Sequence, residues 1–332
     1  MQLIAEIAQA HDGSLGIAHS YIDALADTGV DTVKFQTHIA EAESSDQEPF
    51  RTNFSYEDKR RIDYWKRMEF TKTEWDGLKR HCDDKDLEFL SSPFSNAAVD
   101  LLEEVGVERY KVGSGEVNNF LLLEKIAKTG KPIIVSSGMS SFTELDKTIE
   151  FLDAYNNPVS ILQCTTAYPT TPDQWGLNVI AELKNRYSVP VGFSDHSGDI
   201  YACLAASALG AEILEFHVVF DKRMFGPDAK ASLTIDEVKK LVDGVRKIER
   251  SLKNRVKKDD NKEFEELKNI FEKSLAANKD LEKGNILTFS DLEAKKPKGL
   301  GISASDYKQV IGKMLSRDIK KWEFINKKDL DE

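Results

Sequence analysis

Three segments of the chain repeat one design, and that repetition limits the possible folds more than any other feature. GVDTVKFQ (29–36), GVERYKVG (106–113) and GAEILEFH (210–217) each pass from a glycine through a small or branched residue and an acid into an apolar run. Glycine is the residue that ends a helix at least cost, because it accepts a left-handed backbone. The apolar run then reads as a strand, so each segment is the return half of a βαβ unit. Five residues past each glycine stand Lys34, Lys111 and Glu215, and seven past stand Gln36, Gly113 and His217. The period of two puts both positions on one strand face. Core packing alone does not account for polar groups recurring at that late phase.

QLIAEIA (2–8), LEFLSS (87–92), PIIVSS (132–137), VSILQCT (159–165) and VPVGFSDH (189–196) complete a set of eight strands. A helical stretch with Ile17, Tyr21 and Leu25 on one face follows the first, and further helical patterns lie near 72–83, 95–105, 119–129, 141–154, 174–186 and 199–209. Eight βα units over about 250 residues predict an α/β fold of the closed (β/α)8 TIM-barrel type. No GxGxxG turn follows the first strand, as an open dinucleotide-binding sheet would require.

The barrel is expected over residues 1–250. Residues 37–67 exceed an ordinary βα loop and carry Phe50, Phe54, Tyr56, Tyr64 and Trp65; they read either as a lid or subunit contact, or as a surface elaboration with one short helix. A charge-dense linker is expected over 251–272, then a small β-rich module over 273–332. In that module NKDLEKGNILTFSDLE resembles SRDIKKWEFINKKDLD, pairing Asp280 with Asp318, Leu281 with Ile319, Lys283 with Lys321, Leu287 with Ile325 and Asp291 with Asp329. The pairing predicts internal pseudo-symmetry, and so small a module has a thin core.

The 332 residues hold 46 basic and 57 acidic groups, a net charge of −11. That surface disfavours nucleic acid and acidic membranes as partners. Any anionic substrate must be gripped by a few local cations. Cys82, Cys164 and Cys203 are scattered and show no CxxC spacing, which fits a reducing compartment. With no signal peptide and no membrane-length apolar run, a cytoplasmic protein is expected.

In a TIM barrel the strand C-termini build the active site. Here they carry Glu6, Lys34, Gln36, Ser91, Ser92, Lys111, Ser114, Glu116, Ser136, Ser137, Thr165, Thr166, Ser194, His196, Glu215 and His217. Ser91 and Ser137 are expected to cap the helices that follow. His196 and His217, on neighbouring strands, can chelate a divalent metal, with Asp195 and Glu215 orienting the rings. Lys34 and Lys111 sit in apolar runs where an unpaired ammonium is costly. Either an anion resolves that cost, together with Ser114, Ser136 and Ser194, or the lysines bridge to Glu6, Glu116 or Glu215.

AEIAQAHDGS, VKFQTH, SSPFS, KVGSGE, SSGM, CTTAYPT, GFSDHS and EFHVVFDKRMFGPD, in this order, resemble the sialic acid (nonulosonic acid) synthase family. KSLAANKDLEKGN and KKPKGLGIS resemble its C-terminal antifreeze-like SAF domain. The resemblance implies an enzyme that condenses phosphoenolpyruvate with N-acetylmannosamine or a related acylamino sugar and releases phosphate. It implies that His196 and His217 bind a divalent metal, Mn2+ first, with Mg2+ or Co2+ as alternatives. It places Lys34, Ser92, Lys111, Ser114, Ser136, Thr166 and Ser194 on phosphoenolpyruvate, and Gln36, Glu116, Tyr168, Asp228 and Lys296 around the sugar. Glu6 matches a carboxylate that positions or activates water. The family also implies a domain-swapped homodimer.

Three positions depart from the family pattern. Thr166 stands where relatives have Asn, Lys296 where the SAF domain often presents Arg, and Phe216 where many have Lys. Lysine at 296 keeps the charge but loses the planar fork. The departures put the sugar half in question, so the acceptor is either N-acetylmannosamine or a diacetamido-trideoxyhexose. Competing readings are a phosphoenolpyruvate-dependent synthase for another aldose, a Schiff-base aldolase using Lys34 or Lys111, and a non-catalytic glycan-binding relative.

Overall fold

Gly29, Gly106 and Gly210 all adopt left-handed backbone, with φ of 83°, 84° and 82°, and each follows a helix and leads into a strand. The computed structural model describes residues 1–52 and 54–331. They form two units, Met1–Asn254 and Arg255–Glu332, Glu332 itself lying outside the described residues.

The first unit is the expected barrel. Its strands are β1 (Gln2–Glu6), β2 (Thr32–Thr37), β3 (Glu88–Pro93), β4 (Tyr110–Val112), β5 (Ile133–Ser136), β6 (Val159–Cys164), β7 (Val191–Asp195) and β8 (Ile213–Val219). Each runs parallel to its neighbours, and β1 pairs with β8 from Gln2 opposite Ile213 to Glu6 opposite His217, which closes the cylinder. A two-residue β9 (Leu233–Thr234) extends beside β8.

The helices are α1 (Leu15–Ala26), α2 (Ala40–Glu43), α3 (Arg61–Met68), α4 (Lys72–Asp84), α5 (Asn96–Val105), α6 (Phe120–Ala127), α7 (Phe142–Asp153), α8 (Leu177–Arg186), α9 (Tyr201–Ala208) and α10 (Ile235–Lys253). Ser95 and Ser141 cap α5 and α7. Ser91 and Ser137 do not cap: Ser91 Oγ bonds Thr37 Oγ1 and Phe35 O, and Ser137 Oγ donates to Leu162 O, so both tie one strand to the next. The sequence reading has no helix where α10 lies; α10 buries Val238, Leu241, Val242 and Val245 and runs on to Lys253.

The barrel interior is layered. At the N-terminal end Arg109 bonds Glu88 and Gln2, and Gln2 and Thr32 also reach Glu88. Above this sits an apolar disc of Ile4, Leu90, Ile134, Leu162 and Ile213. Gly192 lets the disc close, since a Cβ there would fall 2.5 Å from Leu162 Cδ2 and 2.3 Å from Ile213 O. Two residues further along each strand, the inward positions turn polar.

The long segment after β2 holds two short helices rather than one. Tyr64, Trp65 and Met68 are buried with Ala40 in a small cluster, and Phe50, Phe54 and Ile62 pack on it. Its aromatic residues therefore bury one another, and several also wall the barrel mouth.

In the second unit β10 (Ser274–Ala277) pairs antiparallel with β11 (Leu292–Lys295), with α11 (Glu265–Phe271) before them and α12 (Tyr307–Val310) after. Leu275, Leu281, Leu287, Leu315, Ile319 and Ile325 form its small core. The paired segments exchange bonds reciprocally: Leu281 bridges Ile319, Lys283 N donates to Asp318 (2.8 Å), and Lys321 N donates to Asp280 (2.8 Å). Thr288 with Asp291 and Asn326 with Asp329 form matching capping boxes. The repeat read in the sequence is thus a local two-fold relation.

Candidate active site

At the strand C-termini the barrel opens into a cavity of about 430 Å³, ample for two small polar molecules. Glu6, Lys34, Gln36, Ser92, Lys111, Ser114, Glu116, Ser136, Thr166, Tyr168, Ser194, His196, His217 and Asp228 all line it. Of the residues expected at the strand ends, Ser91, Ser137, Thr165 and Asp195 do not line it; Lys296 belongs to the second unit, where its ammonium is 4.6 Å from the Phe271 ring centroid.

The floor carries four buried charges. Lys34 Nζ contacts Glu6 Oε2 and lies 3.9 Å from Glu215 Oε2; Lys111 Nζ is 3.2 Å from Glu215 Oε1. Ser194 Oγ donates to the same oxygen (3.0 Å), and Glu6 Oε1 accepts Ala8 N–H (2.9 Å). Of the two ways to offset the buried ammonium groups, this structure displays the Lys–Glu bridges, to Glu6 and Glu215. Glu116 takes no part and accepts from Asn119 Nδ2 instead. Burial would push Glu215 up, but Lys111 and Lys34 outweigh it and hold the carboxyl down at about 2. Burial pulls Lys34 down to about 7, opposed by Glu215 and reinforced by Lys111. Burial likewise raises the Glu116 carboxyl.

Beside these charges lies a set of hydroxyls. Ser136 Oγ is buried and, among the described residues, has no hydrogen-bond partner. Ser114 Oγ accepts Gly138 N–H (3.0 Å). Gly138 comes so close to this wall that a Cβ would lie 2.5 Å from Thr166 Oγ1 and 2.7 Å from Ser114 Oγ. Ammonium groups and hydroxyls on one wall, Ser136 Oγ among them without a partner, suit a compact polyanion.

Adjoining this wall through Cys164, whose Sγ lies 3.7 Å from Ser114 Oγ and 3.8 Å from His196 Nδ1, is an imidazole and aromatic part of the lining. His196 and His217 have ring centroids 5.2 Å apart, and the Tyr168 ring lies 4.1 Å from His196 and 5.8 Å from His217. Burial, reinforced by His217, drops His196 to about 3; burial, reinforced by Lys34, does the same to His217. Both rings are therefore neutral at pH 7. Nδ1 of His196 donates to Thr165 O (2.9 Å), which leaves Nε2 with a free lone pair. Two neutral imidazoles fit a divalent ion as part of its shell; among the described residues no third His, Cys, Asp or Glu completes a cluster.

Neither carboxylate expected to orient the imidazoles does so. Asp195 accepts from Ser197 N and Oγ (3.0 and 2.7 Å), because one residue along a strand reverses the face. Glu215 instead reaches the lysines.

The sequence reading missed Gln9, His38, Glu43, Arg51 and Cys164, which also line the cavity. His38 follows Gln36 at the period of two, a signal that could have found it. Arg51 comes from the long segment, with no periodicity to mark it; its guanidinium bonds Asp228 (2.7 Å) and sits 4.1 Å from the Tyr168 ring centroid.

The model of the NeuB family matches residues 21–257 and that of the SAF domain residues 272–331. The chain is 36% identical over 329 residues to the N,N'-diacetyllegionaminic acid synthase of Campylobacter jejuni, covering 97% of this chain and 98% of that one. It is 35% identical over 334 residues to a pseudaminic acid synthase of the same species, covering 98% and 96%. Among solved structures, the N-acetylneuraminic acid (sialic acid) synthetase of Leptospira borgpetersenii, in complex with citrate, superposes with a TM-score of 0.71 at 31% identity, covering 80% of this chain and 90% of that one.

Proposed function

The chain belongs to the NeuB family and ends in a SAF domain, and on that premise we propose that its cavity joins phosphoenolpyruvate to an N-acylamino hexose, giving a nonulosonic acid and inorganic phosphate. The observation that carries this reading is the meeting of Lys34, Lys111, His196 and His217 around one cavity.

The ammonium groups of Lys34 and Lys111 hold the phosphate and carboxylate of phosphoenolpyruvate, with Ser92, Ser114, Ser136, Thr166 and Ser194 donating to its oxygens. Held so, its methylene carbon bonds to C1 of the open-chain sugar as the C1=O π bond opens to a hydroxyl, and C2 becomes electron-poor. Glu6 takes a proton from the water that adds to C2, which balances the proton taken up at the C1 oxygen. The C2–O bond to phosphate then breaks as the new C2 hydroxyl gives its proton to the departing phosphate, leaving the C2 ketone. Gln36, Glu116, Tyr168 and Asp228 surround the sugar, and the aromatic wall keeps other water out. His196 and His217 would hold a divalent ion, Mn2+ first, which as a Lewis acid polarises the sugar aldehyde.

The acceptor is N-acetylmannosamine or a 2,4-diacetamido-trideoxyhexose. We further assign the second unit to the active site of a partner subunit, where Lys296 meets the sugar. Exposed Ile286, Phe289, Leu300, Met314 and Trp322 on that unit support a docked role. Three free, buried cysteines support a cytoplasmic location.

The test is phosphate release from phosphoenolpyruvate against a panel of these sugars. Release that depends on one of them is expected, whereas release independent of sugar, or none with any, overturns the reading. Sedimentation should show a dimer, and deleting residues 273–332 should raise the sugar KM; an unchanged KM rejects the role of the second unit.

A further inference from the structure

One wall of the cavity holds a chain of four side chains, three of them behind the Gln36 already placed at the sugar: Glu43, His38, Gln9 and Gln36 itself. His38 is clamped between two rings, Trp65 (centroids 4.1 Å apart, planes 19° apart) and Phe94 (4.8 Å, 7°). It cannot turn without breaking both stacks. Its Nδ1 lies 2.7 Å from Glu43 Oε1, and a carboxylate only accepts, so Nδ1 bears the proton. In the neutral ring Nε2 then carries the lone pair; of its two neighbours at 3.3 Å, Gln9 Nε2 and Gln36 Oε1, only the amide group of Gln9 can donate to it. The same Gln9 amide group donates to Gln36 Oε1. Each atom's role follows from its neighbour's, starting at Glu43. The oxygen of Gln36 is consumed by this chain, which leaves its NH2 group as the part offered to the cavity.

We propose that His38 is a positioning residue that, oriented by Glu43 and acting through Gln9, fixes the Gln36 amide with its NH2 toward the substrate. The site thereby selects a sugar that places an acceptor oxygen, an acyl carbonyl or a hydroxyl, at that point. The inference rests on the synthase reading. It also gives the long segment after β2 a function: Trp65 and Glu43 both come from it, so its folding onto the mouth sets the donor that meets the sugar.

The test uses His38→Phe, which keeps the ring between Trp65 and Phe94 but removes both nitrogens. The KM for the sugar should rise about tenfold, the scale of one lost hydrogen bond, with the KM for phosphoenolpyruvate changed by less than about twofold. In a Gln36→Ala background the same substitution should add almost nothing, because two residues acting as one unit do not add. Equal rises in both KM values, or losses that multiply in the double variant, overturn the proposal. Nitrogen-15 spectra of the imidazoles give a readout that needs no turnover. They should show His38 protonated on Nδ1, with the Nε2–H form growing in Glu43→Ala; an Nε2–H ring in the unaltered protein overturns the network. If no sugar supports phosphate release, the synthase reading fails, and the spectra still decide the network.

Discussion

Lys111 on β4 and Glu215 on β8 meet across the barrel, Nζ to Oε1 at 3.2 Å, and Ser194 Oγ donates to the same oxygen. The pair bridges the wall from inside and ties the grip on the anion to the packing of opposite strands.

Acid stability should report that pair. Glu215 falls from 4.5 in the unfolded chain to about 2 when folded, so its stabilisation is present above pH 4.5 and is lost as pH drops toward 2. The loss is on the order of 3 kcal/mol. Urea midpoints between pH 6 and pH 3 should fall less steeply in Glu215→Gln than in the parent. An identical acid limb would assign the loss to other carboxylates.

Lys34 makes the opposite limb. Its ammonium form holds an anion and its amine does not, and burial brings the transition to about 7. For the free enzyme, kcat/KM for phosphoenolpyruvate should fall as pH rises above about 7, approaching tenfold per unit. Lys34→Arg keeps its charge and should lose this limb. A profile level to pH 9 in the parent removes Lys34 as its source.

His196→Ala and His217→Ala should each abolish Mn2+ binding, read by electron spin resonance of free Mn2+, while circular dichroism stays native. Chelation of the parent should stop phosphate release and added Mn2+ should restore it. Retained binding in both variants would place the ion elsewhere.

Gly138→Ala would push a methyl group onto Thr166 Oγ1 and Ser114 Oγ. The KM for phosphoenolpyruvate should rise about tenfold, with the sugar KM little changed, because the strain falls on the anion wall. A rise confined to the sugar KM would reverse the assignment of the two walls.

The barrel and most of the cavity lining are legible in the sequence because both follow simple periods. Glycine stops mark helix ends, and a period of two carries Lys34 and Lys111 inward with Glu215. The same rule, applied strictly, turns Asp195 away from the cavity, since it stands one residue from both Ser194 and His196. What Glu215 pairs with is not legible, because its partners sit on β2 and β4 and depend on closure of the cylinder. The long segment is opaque for another reason: Tyr64, Trp65 and Phe54 satisfy one another locally, so no period betrays that they also face the mouth. In α10 the spacing of Val238, Leu241, Val242 and Val245 is a helical signal that the sequence reading passed over.

The five aliphatic side chains stacked below Lys34 and Lys111 act as an insulator. Hydrocarbon beneath the two cations cannot polarise to screen them, so each contact that Lys34 and Lys111 make, with Glu6, Glu215 or a bound anion, is stronger there than in water. On a protein that repels anions at long range, a trianion is therefore held by short-range contact with these ammonium groups, whose distant field the two carboxylates cancel. Substitutions around the rim can then change which sugar follows it without disturbing the electrostatic trap below.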